Sequence, residues 1–128
     1  MEFVNEMYSV YLAGLFDGRG CFHIRKDKKG YLQFKIKIAD QSKEKIVKIS
    51  GVLEKLDIPY IIDSSNTIWI TSRGGARTLI ERILPYSMLK KKEIESFKDK
   101  VSLYEEMLNQ RAKKRKLIIT KIMESEIY

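Results

Sequence analysis

The run from Tyr11 to Ile24, YLAGLFDGRGCFHI, constrains the fold most, because helical spacing changes to strand spacing within it. Upstream, apolar residues recur at helical intervals, at Phe3, Met7, Val10, Tyr11 and Leu15. Downstream, apolar and polar residues alternate as in a β-strand, at Phe22, His23, Ile24 and Arg25. We expect two glycines at this junction, Gly18 and Gly20, to end the helix and turn the chain into the strand, since glycine adopts positive φ without a steric cost.

Gly14 differs from these two glycines, because it lies inside the helical pattern. Glycine in a helix interior costs about 1 kcal/mol relative to alanine. Together with Ala13 it leaves a flat patch that is nearly free of side chain, so another backbone could come very close there. An ordinary helix end is the simpler interpretation, and the glycines alone do not exclude it.

The length and charge of the chain limit its fold and its partners. With 128 residues it is long enough for one core and short for two, so we expect a single domain over residues 1–128. Lys and Arg outnumber Asp and Glu by 25 to 17, which gives a net charge of +8. This excess favours an anionic partner, nucleic acid before membrane, although a merely soluble basic protein would show it too.

The sequence also excludes several kinds of site. With one cysteine, Cys21, and one histidine, His23, a single chain has no internal disulfide, cysteine-based zinc site or histidine cluster. No apolar run approaches the roughly 18–20 residues of a membrane span. The start, MEFVNEMYS, is acidic and lacks a signal-peptide core. We therefore expect an intracellular protein, in the cytoplasm or an organelle matrix, without a membrane partner.

The spacing of apolar residues and turn residues predicts an α+β fold of order αββαββα, with further C-terminal helices. The predicted elements are a helix over 4–16, strands over 21–27 and 31–39, a helix from the N-cap Ser42 to about 56, strands over 60–63 and 67–71, a helix over 76–84, a long helix over 90–108 and a last helix over 117–123. We expect loops at 28–30, 64–66 and 73–75. No second copy of the glycine-rich run and no internal linker is present in the sequence.

Each of three basic or aromatic features of the sequence has two possible interpretations, one structural and one functional. One face of the second strand carries Tyr31, Gln33, Lys35 and Lys37, and this face is either solvated or contacts nucleic acid. The single tryptophan, Trp69, either covers the sheet or contacts bases and sugar. The run RAKKRK over 111–116 is either a solvated linker or a phosphate-binding segment.

The segment from Leu12 to Gly20 resembles the ten-residue signature of the LAGLIDADG homing endonucleases, and LAGLFDGRG aligns with it in register. The family carries Asp or Glu at the position of Arg19. The predicted element order is also the order of the family, so the resemblance covers nearly the whole chain. It implies a four-stranded antiparallel sheet that forms a saddle over the major groove of double-stranded DNA.

The resemblance further implies a homodimer, because chains with one signature pair their signature helices across a two-fold axis. Such a dimer recognises a near-palindromic site. The implied interface residues are Leu12, Ala13, Gly14 and Phe16. The implied DNA-binding residues are His23, Arg25, Asp27, Tyr31, Gln33, Lys35, Lys37, Ser64, Thr67, Trp69 and Thr71.

In the family, the acid at the end of the signature helix binds the Mg²⁺ that cleavage requires. Mg²⁺ takes oxygen ligands, whereas the guanidinium of Arg19 has no acceptor and stays protonated. Metal binding is therefore doubtful here, with only the Gly18 carbonyl as a candidate ligand. Asp40 matches a family residue that helps to place the attacking water, and Lys90 matches a lysine near the cleaved phosphate. Asp40 is also a plausible start of an Asx turn, and Lys90 of a helix.

Two classes of function follow from this comparison. The first is a site-specific endonuclease of the homing type, which would cut both DNA strands with Mg²⁺ and whose cleavage is impaired by Arg19. The second is a binding protein on the same scaffold, either a DNA-binding regulator or an intron-RNA maturase. A basic αβ domain of unrelated function is the third and plainest alternative.

Overall fold

A computed structural model describes residues 2–110 and 112–124, with helices and strands in the predicted order. The elements are α1 (Glu2–Arg19), β1 (Gly20–Lys26), β2 (Leu32–Ala39), α2 (Lys43–Lys55), β3 (Ile61–Ile62), β4 (Thr67–Ile70), α3 (Arg73–Ile83), a 3₁₀ turn (Leu84–Tyr86), α4 (Lys91–Met107) and α5 (Ala112–Glu124). The predicted α+β class is confirmed. None of the helices described is both long enough and apolar enough to span a membrane.

The four strands form one antiparallel sheet in the order β1-β2-β4-β3. Alternate side chains of β2 point to opposite faces, and Phe34, Ile36 and Ile38 are buried beneath the helices. α1 packs against α3 and the 3₁₀ turn, and α4 packs against α3 and α5. The other face of the sheet carries the polar side chains of β2, Gln33, Lys35 and Lys37, which are exposed or partly exposed.

α1 continues beyond its predicted end at residue 16, because Gly18 lies inside the helix and does not stop it. Gly30 is the glycine with a positive φ, at 88°, whereas Gly18 and Gly20 do not need this conformation. Gly20 is required for packing. A Cβ added there would overlap three ring atoms of Phe16, which is a core residue.

The N-caps of two helices explain where those helices begin. Ser42 caps α2 as predicted, and its hydroxyl accepts the backbone N–H of Lys45 at 3.3 Å. The loop predicted at residues 73–75 is instead the first turn of α3. Ser72 caps that turn by accepting the N–H of Gly75 at 3.0 Å.

The two β-hairpins have the same local construction. In the first, Asp27 Oδ1 accepts the backbone N–H groups two and four residues further along, both at 2.9 Å. In the second, Asp63 Oδ1 accepts the equivalent pair at 2.9 and 3.0 Å. Each aspartate thereby closes its turn through its own side chain.

α4 matches its predicted span within one residue at each end, whereas α5 begins at residue 112, five residues before its predicted start at 117. Of the basic run over 111–116, Arg111 lies outside the described residues and the remainder begins α5. Arg115 donates to the carbonyls of Gln110 at 2.7 Å and Leu108 at 3.1 Å. This side chain therefore ties the start of α5 to the end of α4.

Candidate nucleic-acid interface

The polar side of the sheet gathers most of the residues predicted to bind DNA. We call this surface the outer face; its centre consists of His23, Arg25, Gln33, Lys35, Lys37 and Trp69. The strand register places three pairs of these side by side: His23 with Lys35, Arg25 with Gln33, and Lys37 with Trp69. Neighbours on antiparallel strands share a face, so the six side chains form one surface.

The remaining predicted residues lie at the margins of the outer face. Tyr31 and Asp27 belong to the first hairpin, Ser64 is exposed in the turn of the second, and Thr71 is exposed just after β4. Thr67, which is also predicted to bind DNA, is only 7% exposed, so little of its surface is available to a partner. In the strand register Thr67 lies beside Ala39, and it shares its face of β4 with Trp69.

The outer face is cationic, and its one histidine is neutral near pH 7. Burial lowers the pKa of His23 below its ordinary 6.5, and the positive charges of Lys37, Arg25 and Lys35 lower the pKa further. A neutral imidazole has one donor and one acceptor nitrogen. His23 can therefore hydrogen-bond a base edge while the lysines and the arginine supply charge.

Trp69 lies at the centre of the outer face and contacts four other side chains. Its Nε1 donates a hydrogen bond to Asp63 Oδ2 at 2.9 Å. Its ring centroid lies 5.3 Å from that of His23, 5.7 Å from Lys37 Nζ and 5.9 Å from Lys35 Nζ. The indole is thus fixed at one end and has two ammonium groups near its ring.

A second cluster lies where α1 ends, and it brings the three predicted catalytic positions together. Arg19 Nη1 lies 3.3 Å from Asp40 Oδ2, and the Arg19 side chain is 48% exposed whereas that of Asp40 is 5% exposed. Asp40 Oδ1 accepts the N–H of Ser42 at 2.8 Å. Lys90 Nζ donates to the carbonyl of Gly20, the residue after Arg19. Asp40 therefore has structural partners on both oxygens.

The apolar surface of α1 differs from the predicted dimer interface. Leu12, Ala13 and Phe16 are at most 1% exposed and belong to the core of the chain, so they leave no side-chain surface for a partner. Gly14 is the predicted interface residue that lies at the surface, and a Cβ added there would meet no neighbouring atom within 4 Å. Four exposed large apolar residues lie on its side of the helix: Phe3, Met7, Val10 and Tyr11. We call these four residues and Gly14 the signature face.

Comparison with known proteins identifies the fold and the family. The family model described as a LAGLIDADG-like domain matches residues 6–121. The chain belongs to the LAGLIDADG family. No curated protein matches it.

Three solved structures illustrate how far the LAGLIDADG fold extends over this chain. The homing endonuclease I-TnaI is 17% identical, with 91% of this chain and 83% of that chain covered and a TM-score of 0.70. The archaeal intron-encoded homing endonuclease I-Vdi141I, complexed with DNA, is 16% identical over 94% and 86%, with a TM-score of 0.66. The homing endonuclease I-CvuI, complexed with a DNA target in the presence of Mg²⁺, is 16% identical over 78% and 69%, with a TM-score of 0.63. At these identities, the likeness establishes the fold.

The LAGLIDADG signature of this chain does not fit Mg²⁺. Position 19 supplies a cation, and the neighbouring carboxylate of Asp40 is already held by that cation and by a backbone N–H. Among the described residues, no group of three or more His, Cys, Asp or Glu side chains is placed to hold a metal ion. The Gly18 carbonyl would be a single neutral ligand, whereas Mg²⁺ sites in proteins rely on carboxylates.

Asp17 of the signature has a structural role that its sequence position did not reveal. Its carboxylate accepts hydrogen bonds from the Ser87 hydroxyl and from the backbone N–H groups of Met88 at 2.8 Å, and of Leu89 and Lys90 at 3.3 Å. Burial alone would raise the pKa of Asp17, but these hydrogen bonds together lower it below 3.8. Asp17 thereby fixes the segment that carries Lys90. Its partners lie about seventy residues away, so no local pattern could have indicated them.

Asp17→Asn is expected to destabilise the fold by about 2 kcal/mol near neutral pH, because an amide replaces a charged acceptor of several hydrogen bonds. The folded-state pKa is depressed, so the contribution of Asp17 is complete above 3.8 and is lost as the pH falls through the lower folded-state value. Urea unfolding at several pH values measures this difference. Asp99→Asn, on the exposed side of α4, is the matched control. Equal stability of the two variants at pH 7 would contradict the assigned role.

Proposed function

We propose that this chain is a site-specific DNA-binding protein of the LAGLIDADG homing-endonuclease type, whose cleavage of the two strands is impaired by Arg19. The observation that carries the proposal is the ion pair of Arg19 with Asp40 at the end of the signature helix. It puts a positive group where the family has the metal-binding acid. The same chain keeps a cationic sheet surface suited to DNA.

The outer face supports the choice of duplex DNA as partner. Arg25, Lys35 and Lys37 can donate to guanine acceptors in the major groove, and Gln33 can pair with adenine. Each good bidentate pair contributes about 1–3 kcal/mol of discrimination against a wrong base. The net charge of +8 adds a sequence-independent attraction to phosphates. A sheet face that mixes base-reading side chains with cations suits groove binding.

The signature face supports a homodimer that recognises a near-palindromic site. Its apolar side chains are about half exposed or more in the single chain, and Gly14 lets a second helix approach closely. Met88 and Leu89 are 87% and 79% exposed, and their backbone is held by Asp17 of α1. A second copy of the chain would cover this apolar surface with an identical one, as a two-fold interface requires.

The Arg19 guanidinium supports binding without efficient cutting. One of its amino groups faces Asp40, and almost half of the side chain remains exposed. A guanidinium has five N–H donors, so the others are free to meet a DNA phosphate directly. In a homodimer, two such groups would lie where two phosphates converge. We therefore expect DNA binding that does not depend on Mg²⁺.

Selection from a randomised duplex library, with cleavage scored in Mg²⁺, tests the proposal on three chains. Wild type is expected to enrich a near-palindromic site of about two helical turns and to leave it uncut. Arg19→Asp is expected to cut both strands of that site. Arg19→Asn removes the charge without supplying a carboxylate and is expected to bind but not cut. Efficient double-strand cleavage by wild type would contradict impairment by Arg19.

The same experiment separates the alternative function on this scaffold, a binding protein without nuclease chemistry. The Arg19–Asp40 pair favours it, because both side chains already have a partner in the free chain. If Arg19→Asp still binds the selected site and fails to cut it, the chain is a DNA-binding regulator. If a structured intron RNA displaces the selected DNA at equal concentration, the chain is an RNA-binding maturase.

A further inference from the structure

The two hairpins use the same aspartate-closed turn, but only Asp63 makes a further contact with the outer face. Its Oδ1 closes the turn, and its Oδ2 accepts the indole N–H of Trp69 at 2.9 Å. Asp27 closes its own turn with Oδ1 in the same geometry. The two residues therefore form a natural comparison: they share the turn and differ in the indole contact.

We propose that Asp63 is a positioning residue for DNA recognition: by holding Trp69, it fixes the ring that orients Lys35, Lys37 and His23. This inference rests on the proposed DNA-binding function and adds a residue that sequence reasoning did not select. Asp63 itself does not contact the partner in this scheme. It acts through the indole.

The chemistry of Trp69 explains why its orientation matters. Its single donor, Nε1–H, is occupied by Asp63, so the indole contributes its ring and not a hydrogen bond to a base. An ammonium group within about 6 Å of an aromatic centroid is attracted by the ring, and Lys35 and Lys37 both meet this distance. A fixed ring therefore restricts both lysines before DNA arrives, which reduces the ordering cost of binding.

Asp63 is suited to this task because it remains a carboxylate over a wide pH range. The hydrogen bond from Trp69 lowers its pKa below 3.8, and those from the backbone of Thr67 and Ser65 lower it further. A negative charge beside a DNA-binding surface opposes binding by simple electrostatics. The positioning role and the charge therefore predict opposite effects of removing it, which makes the inference testable.

Three variants separate the turn, the charge and the indole contact. Asp63→Asn leaves one acceptor oxygen where the carboxylate has two. With that oxygen in the turn, where it accepts two N–H groups, the NH₂ group faces the indole N–H and cannot accept its hydrogen bond. Asp27→Asn makes the same chemical change in the first hairpin, where no indole is involved. Trp69→Phe keeps an aromatic ring without the N–H.

Trp69 is the single tryptophan of the chain, so the quenching of its fluorescence reports on how accessible this one ring is. Acrylamide quenching of this emission is expected to rise in Asp63→Asn and to stay at the wild-type level in Asp27→Asn. Affinity for the selected duplex is expected to fall about tenfold in Asp63→Asn, because two ammonium groups are no longer ordered by the ring. Trp69→Phe is expected to lose a similar amount. Asp99→Asn, which removes a negative charge from the exposed side of α4, is expected to bind as well as wild type.

Salt dependence distinguishes positioning from a change in how many phosphates the protein neutralises. Asp63→Asn keeps every lysine, so the slope of log affinity against log salt is expected to stay unchanged. Lys37→Ala, by contrast, is expected to reduce the slope by about 1 for each phosphate that is no longer neutralised. Equal DNA affinities of Asp63→Asn and Asp99→Asn, or equal quenching in Asp63→Asn and Asp27→Asn, would overturn the inference. If wild type selects no DNA at all, the proposed function fails. The quenching experiment needs no DNA, so equal quenching in Asp63→Asn and Asp27→Asn would still argue independently against the role of Asp63 in holding Trp69.

Discussion

Gly14→Leu is expected to fold as well as the parent chain and to lose about 10²–10⁴-fold in affinity for a near-palindromic DNA site. A Cβ at this position meets no neighbouring atom within 4 Å, so the single chain has room for the larger side chain. Leucine is also a better helix former than glycine, by about 1 kcal/mol. The variant therefore changes the surface of α1 without a cost to the core.

The expected loss comes from the proposed dimer. Gly14 lies on the signature face, where two helices would approach closely, and an isobutyl group there would hold them apart. One chain would then bind one half-site alone. Linking two half-site contacts in one complex raises the overall affinity by two to four orders of magnitude, and a monomer forgoes this gain.

Light scattering and titration of the selected duplex measure the two consequences. Gly51→Leu is the matched control, because Gly51 also lies in a helix and a Cβ there also meets no neighbouring atom within 4 Å. We expect Gly51→Leu to remain a dimer with wild-type affinity. A wild-type mass and affinity in Gly14→Leu would place the dimer contact elsewhere or show that the chain binds as a monomer.

The element order could be predicted from the sequence because apolar periodicity changes from helical to alternating at each junction. The side of α1 that faces the core could not be predicted in this way. Both Leu12 with Phe16 and Met7 with Tyr11 lie at helical spacing, and both pairs are apolar. The structure buries the first pair and exposes the second. Which pair is buried depends on how the sheet packs beneath the helix. The spacing of apolar residues along the sequence carries no information about that packing.

In the candidate site, too, features that depend on neighbouring residues could be predicted, whereas contacts between residues far apart in the sequence could not. His23, Lys35 and Lys37 could be assigned to one sheet face, because strand alternation alone fixes it. Asp17 could not be assigned to the segment before Lys90, since the contact closes over about seventy residues of chain. Asp63 was within reach of sequence reasoning. It lies at the start of a turn and six residues before Trp69 on the returning strand, so the two share a hairpin.

Gly20→Ala is expected to destabilise the fold by about 3 kcal/mol, because the added methyl group would occupy the volume of the Phe16 ring. Phe16 is 1% exposed, and its ring centroid lies 4.9 Å from that of Phe22, so the ring has little freedom to move aside. Interiors are packed densely enough that one methyl group forces a shift of several neighbours. For a chain of this size the loss corresponds to a fall of roughly 10 °C in Tm.

Gly18→Ala tests the same signature two residues earlier and has the opposite expected sign. Gly18 lies inside α1, and a Cβ there meets no neighbouring atom within 4 Å. Alanine at this helical position is expected to stabilise the fold by about 0.5–1 kcal/mol. Thermal unfolding of the two variants measures both effects. If Gly18→Ala proves the more damaging of the two, the glycines act through backbone conformation after all, and the packing of Phe16 against Gly20 is not what fixes the end of the helix.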